Sequence, residues 1–205
     1  MTLIEQFGPI DIYLFDQILR GRIAPGMRIL DAGCGGGRNL VYLLRQGYEV
    51  YGVDANPAAI VEVQRLAAEL GARCAPNAFR VEPLENMSFP DAFADVVIVS
   101  AVLHFAPGDA AFKSMLRSCW RVLRPGGLFF CRLASSIGIE GQVRQVEGRR
   151  FLLPDGSERY LVDEALLLRW TAALGGELVD PLKTTVVQDQ RAMTTWVLSK
   201  STPLS

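Results

Sequence analysis

A glycine-rich segment at residues 33–37 has the clearest chemical meaning in this sequence. Gly33, Gly35 and Gly37 occupy every second position shortly after the apolar stretch at 27–31, with Cys34 and Gly36 between them. Glycine allows sharp turns and lets a ligand approach the backbone closely, because no side chain intervenes. A strand, a glycine turn and a helix in this order open the βαβ unit that binds nucleotide cofactors. We therefore predict a cofactor loop here.

The spacing of the glycines distinguishes between two kinds of cofactor. The dinucleotide fingerprint G-x-G-x-x-G would place its third glycine at position 38, where this chain has Arg38. An NAD-dependent oxidoreductase is therefore disfavoured, although it would use the same unit. Asp54 at the end of the second predicted strand suits either class, because a carboxylate can accept two hydrogen bonds from a ribose diol.

His104 is the only histidine of the chain and follows the apolar run at 96–100. Its ordinary pKa of about 6.5 suits a general base that removes a proton from a hydroxyl, amine or thiol. The imidazole could instead position the substrate or bond the backbone. One histidine and four scattered cysteines without a C-x-x-C pair argue against a metal site, and we predict none.

Strands and helices alternate along the segment that would position these residues. Periodicity and turn signals predict strands at 27–31, 49–53, 79–81, 96–100 and 128–133, and helices at 10–23, from the glycine loop to 46, at 57–70 and at 109–123. A tight turn is expected at Pro125-Gly126-Gly127. A further helix at 162–174 and strands near 177–187 and 191–198 would complete the sheet. The pattern predicts an α/β fold with a doubly wound, mostly parallel sheet.

Residues 135–160 interrupt the alternation. Several glycines and the Asp155-Gly156 turn signal indicate an excursion with a hairpin, which we interpret as a short lid insertion. We expect a single domain over residues 1–205, in which residues 1–26 form an N-terminal cap helix. The lid segment concentrates arginines that suit an anionic acceptor, a nucleic-acid phosphate or a solvated surface, namely Arg144, Arg149, Arg150 and Arg159.

Composition limits the partners. The 205 residues carry 21 Lys and Arg against 22 Asp and Glu, so no generally basic surface for nucleic acid is expected. No apolar run approaches the ~18–20 residues of a membrane helix, and the first residues lack a basic-then-apolar signal pattern. We expect a cytoplasmic protein with a small-molecule acceptor and no membrane contact, and we allow for a homodimer.

The segment ILDAGCGGGRN at residues 29–39 resembles the first motif of class I S-adenosylmethionine (SAM)-dependent methyltransferases, and the similarity extends over residues 27–133. This resemblance implies a Rossmann-like fold, SAM as cofactor and methyl transfer as activity. It places the methionyl part of SAM on the glycine loop and both ribose hydroxyls on Asp54. The segment SAVLHF at 100–105 resembles the motif where cofactor meets acceptor, which makes His104 the candidate catalytic residue.

The third-strand loop departs from the family pattern. Pro83 stands where the family often has the aspartate that contacts adenine, so that contact falls to Glu82 or Glu85, with Leu84 providing a backbone N–H. The cofactor-binding residues that the resemblance implies are Asp31, Ala32, Gly33, Cys34, Gly35, Arg38, Asp54, Ala55, Leu84, Glu85, Ser100 and Ala101.

The small size, the Gly-Arg-Asn sequence at 37–39 and the predicted strand at 191–196 are similar to methyltransferases grouped with tellurite-resistance and quinone-biosynthesis enzymes. We therefore expect in-line methyl transfer to a small or medium-sized acceptor, with His104 as base or as positioning residue. The alternative is a catalytically silent or partner-dependent SAM-binding module, which the departure at Pro83 favours.

Overall fold

The computed structural model describes residues 2–202. Within this range, no helix is both long and apolar enough to cross a membrane. The helices are α1 (Leu3–Phe7), α2 (Ile12–Leu19), α3 (Val41–Arg45), α4 (Pro57–Glu69), α5 (Asp109–Val122) and α6 (Glu164–Ala173). The strands are β1 (Arg28–Ala32), β2 (Glu49–Asp54), β3 (Phe79–Val81), β4 (Ala94–Ser100), β5 (Leu123–Ser135), β6 (Arg144–Glu147), β7 (Arg150–Leu152), β8 (Glu158–Tyr160), β9 (Gly176–Leu178), β10 (Lys183–Val187) and β11 (Arg191–Lys200).

The main sheet has the strand order β10-β11-β5-β4-β1-β2-β3, with β9 paired to β11. Strands β1 to β5 pair in parallel, whereas β11 runs antiparallel to β5. The strand order reverses direction between β1 and β4, and ligands of open α/β sheets bind at the carboxyl ends of strands at such a point. The predicted doubly wound, mostly parallel sheet is confirmed.

The sheet is covered on both faces, which explains the continuous apolar run of β4. Val97 and Val99 pack on the side of α5 and α6, whereas Val96 and Ile98 pack on the side of α2, α3 and α4. All four valine and isoleucine side chains are fully buried. A strand buried on both faces has no polar side to alternate with.

The N-terminal helix predicted at 10–23 is wrong in its bounds. Only α2, at Ile12–Leu19, lies in that range; the expected cap helix at 1–26 is two short helices, and Gly8 ends the first of them, α1, with a φ of +66°. The Asp11 side chain accepts a hydrogen bond from the backbone N–H of Tyr13 and so fixes the start of α2. The helix then ends at Leu19, because Gly21 adopts a φ of +70°.

Two other segments differ from the sequence prediction. The expected tight turn at residues 125–127 is a bulge within β5, since Leu123 pairs with Ala94 and the next residue in register is Leu128, opposite Val96. The region 177–187 contains two strands rather than one, and Pro181 lies between them. Neither difference moves the carboxyl ends of β1 and β4.

A three-stranded antiparallel sheet of β6, β7 and β8 forms the excursion between β5 and α6. Tyr160 anchors it, since its hydroxyl donates to Asp109 at 2.8 Å and its ring stacks on Phe112. The predicted hairpin at Asp155-Gly156 joins β7 to β8. This small sheet therefore has a fixed attachment beside the carboxyl end of β5, where Ser135 bridges to Val162.

Candidate functional site

The glycine loop is bound tightly to the end of β2. The backbone N–H groups of Gly33 and Cys34 both donate to the carbonyl of Val53, at 2.8 and 2.9 Å. Gly33 has a φ of +85°, and an added Cβ there would lie 2.4 Å from the Val102 side chain. Both the backbone conformation and the close approach of β4's end therefore require glycine at this position.

Asp54 at the end of β2 holds the middle of the loop. One carboxylate oxygen accepts the N–H of Gly35 at 2.9 Å, and the other accepts the N–H of Asn56 at 2.9 Å. A Cβ added at Gly35 would meet nothing within 4 Å, so this part of the loop faces open space. Asp54 thus positions a backbone segment that a ligand can approach, and each of its oxygens keeps accepting capacity.

Asp31 is an unusual buried carboxylate. It is the second-to-last residue of β1, shortly before the glycine loop, and is 1% exposed. Neither of its carboxylate oxygens has a hydrogen-bond partner within residues 2–202. Burial raises the pKa of its carboxyl group to about 7, although the guanidinium of Arg38 opposes this shift. A buried charged group without a partner is costly, so its position favours a cationic ligand group.

A cavity of about 420 Å³ runs along the glycine loop. It brings together Gly33, Cys34, Gly35, Arg38 and Ser100 of the predicted site. The remaining lining comes from Pro9, Gly36, Asn39, Val41, Glu62 and Leu66. Its location between the ends of β1 and β4 agrees with the switch point of the sheet.

A polar network at the edge of this cavity links the N-terminal segment to β4 and β5. Arg38 donates to the hydroxyl of Ser100 at 3.2 Å, and Arg132 donates to the carboxylate of Asp11 at 3.1 Å. The backbone N–H of Asp11 donates in turn to Asn39. Sequence reasoning missed Asp11 and Arg132, although a lone charge in the apolar run of β5 was a usable signal.

A second cavity of about 280 Å³ begins at the residue after β4. Ala101 lines it, has a φ of +63°, and donates its N–H to the carbonyl of Arg132 at 2.7 Å. The other lining residues are His104, Arg132, Ala134, Leu153, Asp155, Ser157, Arg159, Val187, Arg191 and Met193. Ser100 lines the first cavity and Ala101, the next residue in the chain, lines the second.

His104 is 6% exposed, and its Nδ1 accepts a hydrogen bond from the backbone N–H of Ala134 at 3.1 Å. Burial, with a smaller effect of the Arg159 guanidinium, lowers the pKa of His104 to about 4. The imidazole is therefore neutral at pH 7, with its proton on Nε2. The protonated Nε2 can only donate a hydrogen bond. This state suits a residue that positions a substrate better than a general base, which needs a free lone pair.

Besides Asp31 and Asp54, whose surroundings are described above, five predicted cofactor residues do not line the loop cavity, namely Ala32, Ala55, Leu84, Glu85 and Ala101. Ala55 is exposed after the end of β2, and the Leu84 side chain packs into the core. Glu85 lies in a separate groove of about 390 Å³ against α5. Glu82, the other candidate for the adenine contact, is already bonded by the hydroxyl and N–H of Ser88. Ala32 is fully buried in the core.

The four arginines of the excursion have different surroundings. Arg149 pairs with Asp163 at 3.0 Å, and Arg150 pairs with Glu158 at 2.7 Å. Arg144 is exposed on β6. Arg159 is the member of this group that lines the second cavity, with its guanidinium over the ring of Phe105 at 4.8 Å.

Comparisons with known proteins identify the family and the fold. Residues 30–131 match the model of a family described as "Methyltransferase domain". An uncharacterized methyltransferase of Synechocystis is 38% identical over 108 residues, which are 52% of this chain and 47% of that protein. A ubiquinone biosynthesis O-methyltransferase of Methylocella silvestris is 36% identical over 144 residues, covering 63% of this chain and 54% of the relative. The chain thus spans about half the length of these curated relatives.

Among solved structures, a SAM-dependent methyltransferase from Methanosarcina mazei superimposes with a TM-score of 0.72 at 22% identity. The alignment covers 90% of this chain and 97% of that one. At this level of identity the similarity establishes the fold alone.

Proposed function

Since this chain belongs to the family of SAM-dependent methyltransferases, we propose that it transfers a methyl group from SAM to a small-molecule acceptor. In this proposal the cavity along the glycine loop holds SAM, and the cavity at His104 holds the acceptor. Support comes from the adjacency of Ser100, which lines the first cavity, and Ala101, which lines the second, so the donor and the acceptor would lie on either side of this backbone step.

The unpartnered carboxylate of Asp31 is the observation that carries the proposal. SAM has a methionyl ammonium group, and a buried carboxylate with free accepting capacity is a suitable partner for such a cation. The open face of Gly35 fits the same cofactor, because a ligand can contact the backbone there without meeting a side chain. The residues present therefore fit the cofactor of the family.

Other residues in and beside the glycine loop would complete the binding of SAM. Asp54 keeps lone pairs for the two ribose hydroxyls while it holds the N–H of Gly35. Arg38 can pair with the methionyl carboxylate after releasing or sharing its bond to Ser100. Bound SAM supplies a methyl group that its sulfonium already activates, so the protein's main task is to orient the acceptor for in-line displacement and exclude water.

His104 would orient the acceptor. Its Nδ1 is occupied by the N–H of Ala134, so Nε2–H is the donor available to an acceptor oxygen or nitrogen. The wall formed by β7, β8 and their turn would act as the lid, since it contributes Leu153, Asp155, Ser157 and Arg159 to the cavity. Closing this wall over the acceptor would keep water from the reacting atoms.

Calorimetric titration with S-adenosylhomocysteine (SAH) tests the cofactor site. Asp54→Ala should weaken SAH binding at least about tenfold, because hydrogen bonds to a charged acceptor contribute roughly 1.5–3 kcal/mol. Asp95→Ala is the matched control: Asp95 also accepts a backbone N–H of β1, from Arg28 at 2.6 Å, but stands at the beginning of β4. Equal SAH affinity of wild type and Asp54→Ala would refute the assigned site.

A further inference from the structure

The cavity at His104 is lined by three arginines on different elements. Arg132 comes from β5, Arg159 from β8 and Arg191 from the start of β11. These three arginines, although at least 27 positions apart along the chain, line one small cavity. A cluster of guanidinium groups beside a neutral histidine is costly unless anions compensate its charge.

Carboxylates of the protein compensate this cluster only in part. Arg132 is paired with Asp11 through Nη1, while its Nε is buried without a partner. Among residues 2–202, Arg159 and Arg191 have no carboxylate within 4.0 Å. Their guanidinium groups therefore remain available to an anion.

Asp155 is the one acidic residue in the cavity lining, and it is occupied by its own turn. One of its carboxylate oxygens accepts both the N–H of Ser157, at 2.9 Å, and its hydroxyl, at 2.6 Å. These bonds and, to a smaller extent, the nearby guanidinium groups of Arg191 and Arg159 lower the pKa of Asp155, so it stays ionised and partly compensates the two arginines. Even with Asp155 and Asp11 set against the three arginines, an excess of one positive charge remains.

The rest of the lining indicates the size and character of the ligand. Leu153, Val187 and Met193 provide apolar contacts, and the volume of about 280 Å³ lies near the lower limit of small-molecule sites. Such a cavity fits one ring or a short chain better than an extended lipid. A ligand with an anionic group at one end and an apolar body would match both the arginines and the apolar side chains of this cavity.

We propose that the acceptor is a small organic acid whose carboxylate binds Arg159 and Arg191. This inference rests on the function proposed above. Arg–carboxylate pairs are directional, so they would fix one end of the acceptor and present its nucleophilic atom to the Nε2–H of His104 and the step at Ala101. The arginines would thereby act as specificity residues, distinct from the cofactor site.

Benzoate and benzamide form a matched pair of probes, because they share a ring and differ in charge. With SAH-saturated protein at low ionic strength, we expect calorimetry to show benzoate binding at least about tenfold tighter than benzamide. Arg159→Gln and Arg191→Gln should each reduce benzoate affinity at least about fivefold and leave benzamide unchanged. Asp155→Asn, which keeps the oxygen that bonds Ser157, should strengthen benzoate binding.

Arg144→Gln is the control, since Arg144 is an exposed arginine of the same small sheet that does not line the cavity. Unchanged SAH affinity shows that each variant is folded. Equal affinity for benzoate and benzamide, or full benzoate binding in both cavity variants, would overturn the inference while leaving the methyltransferase proposal intact. Benzoate selectivity without any SAH binding would instead contradict the proposed function and leave the anion site standing.

Discussion

Replacing Asp31 by asparagine should abolish the pH dependence of SAH binding. The buried carboxyl has a pKa of about 7, so roughly a tenth is ionised at pH 6 and most of it at pH 8. If the ionised form binds the ammonium group of the ligand, wild-type affinity should fall about tenfold, or ~1.4 kcal/mol, from pH 8 to pH 6. Asp31→Asn cannot ionise and should bind weakly with similar affinity at both pH values.

The stability of the unliganded protein should change in the same pH range. The folded-state pKa of Asp31 is raised from 3.8 to about 7, so the folded state holds the proton more tightly than the unfolded chain does. The contribution of this group is therefore complete below pH ~4 and is lost as pH rises to ~7, with a total of about 4 kcal/mol. Asp31→Asn should remove this loss.

Calorimetry with SAH at pH 6, 7 and 8 measures the binding effect, and urea unfolding at pH 5 and 8 measures the stability effect. His104 does not affect the binding measurement, because its folded-state pKa of about 4 lies below this window. In the unfolding measurement its pKa of about 6.5 in the unfolded chain adds a rise in stability between about pH 4 and pH 6.5, so the effect of Asp31 is the difference in pH slope between wild type and Asp31→Asn, which share His104. Asp95→Asn is the control for loss of a carboxylate at another place in the sheet, the beginning of β4. Equal wild-type affinities at pH 6 and pH 8, or an unchanged pH slope in Asp31→Asn, would refute the assigned role of Asp31.

Two further predictions follow from local geometry. NMR of the imidazole of His104, the only histidine, should show the neutral Nε2–H tautomer from pH 8 down to about 5, since burial lowers its pKa; titration near 6.5 would contradict the assigned hydrogen bond. Gly33→Ala should lower unfolding free energy by about 2–4 kcal/mol, from both positive φ and the clash with Val102, whereas Gly47→Ala, with φ of +73° and open space, should cost about 1 kcal/mol. Urea denaturation measures both, and equal costs would show that the clash is absent.

Local signals were sufficient to predict the framework of the fold. The continuous apolar run of β4 arises from burial on both faces, and the glycine turn after β1 arises from a backbone conformation that other residues avoid. The bounds of α2 were less predictable, because apolar periodicity continues past the residues that end the helix. The bulge at 125–127 shows the same limit, since turn residues also suit a bulge inside a strand.

The candidate site was predicted where it depends on the loop and missed where it depends on distant contacts. The pair of Asp11 and Arg132 joins residues 121 positions apart. The lone charge in the apolar run of β5 could have indicated Arg132, but no local pattern indicates Asp11 as its partner. Arg191 was noted only as part of a strand, because its place in the cavity depends on how β11 pairs with β5. Glu85 was predicted as a cofactor residue but lies elsewhere, because Glu85 and Asn86 of the short helical turn at Leu84–Asn86 line the groove against α5 rather than the loop cavity.

Titration of the wild-type protein with SAM, SAH and NADH in one calorimetric series tests the central claim most directly. The account predicts saturable binding of SAM and SAH in the micromolar range and none of NADH, because Arg38 occupies the place of the third glycine of the dinucleotide fingerprint. Binding of NADH alone, or of none of the three ligands, would contradict the account.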